Sequence, residues 1–167
     1  MDALETIFTR RSIRKYTSET VSEADLKTIL EAGMNAPSAN NRQSWHFVVV
    51  NQRETLNAIM GIHPYSRMLA EAPTAIIVCG DTNIADSYWQ QDCSAATENI
   101  LLAARALGLG TVWLGVYPRE DRAGGISKLL NLPAHIKPLN IIALGHPAEE
   151  KGRVNRYKPE KVHRNQW

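Results

Sequence analysis

The segment Thr74-Ala-Ile-Ile-Val-Cys79 constrains the fold more than any other part of the chain. It is a short, unbroken apolar run rich in β-branched residues. Side chains alternate between the two faces of a strand, so a run with no polar position leaves no face for water. Such a strand belongs in the middle of a sheet. Three more strands are predicted around it: His46 to Val50, Thr111 to Val116 and Leu139 to Leu144. Helices are predicted over Asp2–Arg10, from the N-cap Ser22 to about Gly33, over 53–60, over His63–Ala72, over Ala85–Leu107 and over Arg119–Leu130. The first carries Leu4, Ile7 and Phe8 on one face. The longest is apolar over much of its girth, through Ala95, Ala96, Ile100, Leu102, Ala103, Ala104 and Leu107, and reads as a core or interface helix ended by Gly108 and Gly110. The first strand comes only after two helices, and the spacings are uneven for a doubly wound sheet. The class is therefore α+β, in one domain spanning residues 1–167, with no linker and no repeat. From Gly145 onward the chain is polar and basic with little periodicity, an extension that must lie on something.

Charge is unevenly spread. The net charge is +2. The start carries Arg10, Arg11, Arg14 and Lys15 against Asp2 and Glu5. The end carries Lys151, Arg153, Arg156, Lys158, Lys161 and Arg164 against Glu160. The body between them is acidic. The two ends are either solvated basic tails or two arms that meet on one anion such as a phosphate. An acidic body without a recognised nucleic-acid module argues against nucleic acid as the partner. No apolar run approaches membrane-spanning length, and Met1-Asp2-Ala3-Leu4-Glu5 does not open a signal segment. Cys79 and Cys93 are too few for a disulfide framework, are expected as buried free thiols, and fit a reducing cytoplasm.

Three segments carry candidate chemistry. Arg10-Arg11-Ser12-Ile13-Arg14 sets guanidinium forks beside a hydroxyl straight after a helix, which suits bidentate phosphate binding but equally a surface basic patch. Ala36-Pro37-Ser38-Ala39-Asn40-Asn41-Arg42-Gln43-Ser44-Trp45 is dense in amides and hydroxyls. These match the alternating donors and acceptors of a flavin's pyrimidine edge and ribityl chain, and equally an Asx-capped turn. Gly108 and Gly110 follow a helix and precede a strand, the reverse of a dinucleotide fingerprint. Gly115 ends that strand, where a missing Cβ lets backbone amides approach a planar ligand. The histidines His46, His63, His135, His146 and His163 show no metal-ligand spacing.

Taken together, these segments resemble the nitroreductase family of FMN-dependent oxidoreductases. Arg10 to Tyr16 resembles its first flavin motif, and Ala36 to Trp45 its second. Glu98-Asn99 with Gly108 to Trp113 is similar to its third. Gly145-His146-Pro147 with Asn155-Arg156-Tyr157 is similar to its closing stretch. The resemblance covers nearly the whole chain in order. It implies a three-layer sandwich with a central mixed, mostly antiparallel sheet flanked by helices. It also implies an intertwined homodimer with FMN at the interface, in which residues from about 146 to 167 pack on the partner subunit. Arg10, Ser12 and Arg156 would hold the phosphate and ribityl end, with Arg11 and Arg14 nearby. Pro37, Ser38, Asn40 and Gln43 would come from the other subunit. Leu114, Gly115 and Val116 would present a backbone amide to flavin N5.

The activity implied is hydride transfer from NAD(P)H through N5 to a small acceptor, a nitroaromatic or quinone, in ping-pong order. No side chain need act as nucleophile or general acid. Alternatives are an FMN-binding or sensory protein without turnover, or a relative specialised for another flavin reaction such as reductive dehalogenation. The chain lacks obvious insertions after residue 60 and within 117–138, which predicts an open site tolerant of many acceptors, with His63, Tyr65 and Tyr117 as candidates for its rim.

Overall fold

The computed structural model describes all 167 residues. Strands β1 (Trp45–Val50), β2 (Thr74–Asp81), β3 (Gly110–Gly115) and β4 (Ile136–Gly145) form a sheet in the order β1-β2-β4-β3. The apolar run that predicts a central strand lies in β2, which is buried along its whole length. Every neighbouring pair of strands is antiparallel. The only parallel element is an isolated bridge from Ser12 to Thr111, so "mixed" describes one contact beyond the sheet proper. Pro138 sits inside β4 at the point where the β2–β4 register shifts between Val78 and Cys79, the kind of bulge that accommodates a residue with no N–H.

Helices α1 (Ala3–Thr9), α2 (Glu23–Met34), α3 (Arg53–Ile62), α4 (Trp89–Ala106) and α5 (Glu120–Leu129) complete the chain. Alternation along β2 and β4 divides the core. Ala75, Ile77, Cys79, Ile141 and Ala143 pack with Leu56, Ile59 and Ile126 of α3 and α5. Ile76, Val78, Ile142 and Leu144 pack with Ile29 of α2 and Cys93, Ala96 and Ile100 of α4. The result is three layers, helices on both faces of one sheet.

Local chemistry sets the element ends. Ser22 caps α2 by accepting from the Asp25 N–H at 3.0 Å. Gly33 lies inside α2 rather than after it, because a Cβ there would meet Ile100 Cγ1 at 2.9 Å, and glycine is what lets α2 close on α4. The helix expected over His63–Ala72 is instead a turn followed by a 3-10 stretch over Arg67–Ala70. Pro64 explains this: the residue before a proline is driven out of the helical region, and His63 sits at φ −106°, ψ 108°. The helix expected from Ala85 starts at Trp89, since Asp81 first forms a turn by accepting from the Asn83 N–H at 2.8 Å. No helix is long and apolar enough to cross a membrane.

Both cysteines are buried free thiols, at 0% exposure. Burial pushes each up to about 12, so both stay protonated at neutral pH. A thiol reagent at pH 8 should leave the folded protein unlabelled and modify both positions once urea is added. Rapid labelling of the native protein would contradict this packing.

Candidate active site

The site is built on the outer edge of β3. The Val116 N–H donates to the Leu139 carbonyl at 3.0 Å, which fixes the ladder register. With Gly110 opposite Gly145 and Gly115 opposite Asn140, alternate residues 110, 112 and 114 bond to β4. The peptide groups of Thr111, Trp113 and Gly115 therefore point away from the sheet. Thr111 uses its carbonyl to accept from the Ile13 N–H at 2.9 Å, which lays the basic N-terminal segment along this edge. Gly115 uses its carbonyl to accept from His63 Nε2 and Arg122 Nη1, each at 2.9 Å. Its N–H is left free.

Beside Gly115 lies a cavity of about 640 Å³ lined by Arg14, His63, Arg67, Trp113 and Arg122 among others. None of Arg14, Arg67 and Arg122 has a carboxylate within ion-pair distance. A Cβ built on Gly115 meets no atom within 4 Å, so the glycine borders open space.

The two chain ends do meet. Tyr16 bridges to Pro147, the Ala148 N–H donates to the Lys15 carbonyl at 2.9 Å, and Arg11 Nη1 donates to the Gly152 carbonyl at 2.6 Å. Lys151 Nζ reaches the Ser12 carbonyl at 2.6 Å. Arg10, Arg11, Arg105 and Lys151 line a second cavity of about 420 Å³ there. Two of these four cations are compensated: Arg10 pairs with Glu98 at 3.5 Å and Lys151 with Glu149 at 3.0 Å, while Arg11 and Arg105 bond to neutral groups. The backbone N–H of Arg14 donates to Glu149 at 2.6 Å. That bond, helped by Lys151, holds the Glu149 carboxyl below the usual carboxylate range. Residues 153–167 are exposed throughout, and Arg156 makes no hydrogen bond or ion pair within the chain.

The loop of Pro37, Ser38, Asn40 and Gln43 is strained and pinned. Asn40, Asn41 and Gln43 have φ of 53°, 54° and 50°, a left-handed conformation that costs about 1 kcal/mol or more per non-glycine residue. Such strain persists only where the surroundings enforce it, and it clusters at functional sites. The enforcing group is Asp92 in the first turn of α4, a buried carboxylate that accepts from the Ala39 N–H at 2.9 Å and from Ser44 Oγ at 3.4 Å. Ser38 Oγ accepts from the Gln43 N–H at 3.0 Å. No residue of this loop lines the cavity beside Gly115.

Comparison with known proteins agrees with the geometry. The model of the Nitroreductase family matches residues 7–63 and 62–146. The chain belongs to the nitroreductase family. A family relative from Methanothermobacter thermautotrophicus, named as a candidate NADH dehydrogenase/NAD(P)H nitroreductase, is 50% identical over all of this chain and 88% of its own length. A solved structure from Parabacteroides distasonis, named in the same way, superposes with TM-score 0.96 at 44% identity and covers 98% of each chain. A candidate nitroreductase from Desulfovibrio desulfuricans, solved in complex with FMN, has TM-score 0.84 at 32% identity over 100% of this chain and 99% of that one.

Of the residues singled out from the sequence, the structure brings Arg14, Leu114 and Gly115 to one cavity and Arg10 and Arg11 to another. Val116, just past the strand, is buried in the core. Arg67 and Arg122 escaped the sequence reading. Arg67 lies in the stretch misread as a helix. Arg122 follows Glu120 and Asp121 and resembles an ordinary charged helix face.

Because the Glu149 carboxyl titrates below its unfolded value, its contribution to stability is complete above the unfolded value and is lost as pH falls through the folded one. Urea unfolding from pH 7 down to pH 3 should show wild type more stable than Glu149→Gln at neutral pH, with the two converging in acid. A constant gap would remove the Arg14–Glu149 contact from the pH dependence.

Proposed function

We propose that this chain is an FMN-dependent oxidoreductase that draws electrons from NAD(P)H and delivers them to a small acceptor such as a nitroaromatic or quinone. The observation that carries this reading is the unpartnered Gly115 N–H on the open edge of β3, beside a cavity whose arginines have no carboxylate partners. Those features fit an electron-rich planar ring: a donor for a ring nitrogen, open space where a Cβ would stand, and uncompensated positive charge. FMN, when bound, supplies the redox chemistry, hydride acceptance at N5 and onward reduction of the acceptor in ping-pong order. The protein binds, orients and charges the site. Gly115, between the ladder-bonded Leu114 and Val116, would present the amide. Arg10, Ser12 and Arg156 would hold the phosphate and ribityl end, with Arg11 and Arg14 beside them.

The same reading calls for a homodimer. The loop of Pro37, Ser38, Asn40 and Gln43 precedes β1, whereas Gly115 ends β3, the opposite edge of the sheet. Three strand spacings of about 4.8 Å each separate the two edges. A second copy would bring its own loop to the cavity that the first copy's loop does not reach. Two exposed surfaces support such an assembly. One is the apolar face of α1, with Leu4, Ile7 and Phe8. The other is the segment 153–167, with Val154, Tyr157, Val162 and Trp167 in solvent. In this proposal the domain is the whole chain, and residues from about 146 to 167 lie on the partner. The two free thiols fit a cytoplasmic setting.

The test is anaerobic mixing of FMN-loaded protein with NADPH or NADH. Bleaching of the flavin by either nicotinamide is expected, and an acceptor screen then ranks nitroaromatics against quinones. Bleaching by dithionite alone would leave a binding protein without turnover. Arg156→Ala should weaken FMN binding by roughly 1–3 kcal/mol, the worth of a charged hydrogen bond. An unchanged dissociation constant would take Arg156 out of the site.

A further inference from the structure

Gly115 is held in place by its carbonyl. His63 Nε2 and Arg122 Nη1 both lie 2.9 Å from that oxygen, one for each of its lone pairs. The histidine tautomer follows from its other nitrogen. Nδ1 accepts from the Tyr65 N–H at 3.3 Å, which leaves the proton on Nε2 and makes His63 a donor to Gly115. His63 is 1% exposed and cannot turn toward water. The Arg122 guanidinium also sits over the Tyr65 ring at 5.3 Å, and its Nε is buried without a partner. Helix α5 brings Arg122 this close because Gly125, three residues on, leaves room for Ile62 at the end of α3. A Cβ at Gly125 would stand 2.6 Å from Ile62 Cγ2.

The fold does not need two donors at this oxygen. Val116 and Tyr117 both donate to the Leu139 carbonyl at 3.0 Å, so the strand is already anchored beyond Gly115. The Gly115 N–H belongs to the Leu114–Gly115 peptide, whose carbonyl is already held in the β3–β4 ladder, so the direction of this N–H is set by the sheet. The Gly115 carbonyl lies on the same outward edge, and without donors of its own its negative oxygen would face the space that the N–H faces.

We propose that His63 and Arg122 are positioning residues that hold and neutralise the Gly115 carbonyl, so that the edge beside the reacting ring of the bound flavin presents the Gly115 N–H and not an unpaired oxygen. The inference rests on the FMN reading given above and assigns the two residues a role in tuning that cofactor rather than in contacting the acceptor.

The test uses FMN-loaded protein and two pairs of variants. Arg122→Met and His63→Phe remove the donor, while the charge-matched Arg122→Gln and His63→Gln keep one, so that each pair differs in the hydrogen bond. The donor-less variants should carry FMN with a more negative midpoint potential. Their flavin should be reduced by NAD(P)H roughly 5- to 10-fold more slowly, the worth of about one hydrogen bond, with little change in KM for the nicotinamide. Each donor-keeping variant should hold a less negative potential than its donor-less counterpart. A merely structural role would lower Tm and FMN content alike in both members of a pair and leave the potential in place. If buried His63→Phe does not accumulate, the Arg122 pair alone decides. Equal potentials across the series, in protein that binds and reduces FMN, would overturn the assignment of His63 and Arg122 only. Failure of the wild-type protein to bind FMN would overturn the flavin reading and this inference with it.

Discussion

The outward-facing peptides of β3 organise the rest of the molecule. An edge strand presents alternate N–H and C=O groups with no ladder partner, and a protein must satisfy or cover them. Here each is answered differently. Ile13 answers Thr111 and thereby fixes the basic N-terminal segment to the sheet. His63 and Arg122 answer the Gly115 carbonyl. The Gly115 N–H has no ladder partner. A slip of one residue in the β3–β4 register would turn 110, 112 and 114 outward instead and bury the site's donor in the ladder.

What places that edge is the core. β2 and β4 bury both faces, so they occupy the middle of the sheet and force β1 and β3 to its rims. The strained loop ahead of β1 then stands a full sheet width from Gly115. Its left-handed Asn40, Asn41 and Gln43 are enforced through Asp92, which belongs to a helix packed against the sheet. In the proposed assembly the loop and the β3 edge would each be mounted on a rigid element.

Much of this arrangement is legible in the residues, because the period of the apolar pattern survives translation into structure. The run at Thr74 predicts the central strand and Ser22 predicts its helix start; the two basic ends meet through residues up to about 152, and 153–167 are exposed. The misreadings have local causes. Pro64 breaks what otherwise looks like helix, and Gly33 resembles a terminator until Ile100 is seen against it. Arg67 and Arg122 were invisible for a different reason. Their role depends on which charges they lack in space, and neighbouring Glu120 and Asp121 in the sequence suggest pairings that the fold does not make. His63 has no spacing that marks it. Only the tertiary approach of α3 to α5 shows it donating to Gly115.

Charge compensation then distinguishes the two cavities. Around the joined termini, Arg10 has Glu98, Lys151 has Glu149, and the lining includes Glu150, so that region is nearly balanced before any ligand arrives. Beside Gly115, Arg14, Arg67 and Arg122 stand together with no acid to offset them. Gathering like charges is unfavourable, and the fold tolerates it only through hydrogen bonds such as the one from Arg122 to Gly115. Positive charge kept unpaired at a fixed place lowers the energy of negative charge that develops there, without reorganisation at that moment. The balanced cavity suits a group whose charge is constant. The unbalanced one suits a ring whose charge increases when electrons arrive, and the free Gly115 N–H stands at its edge.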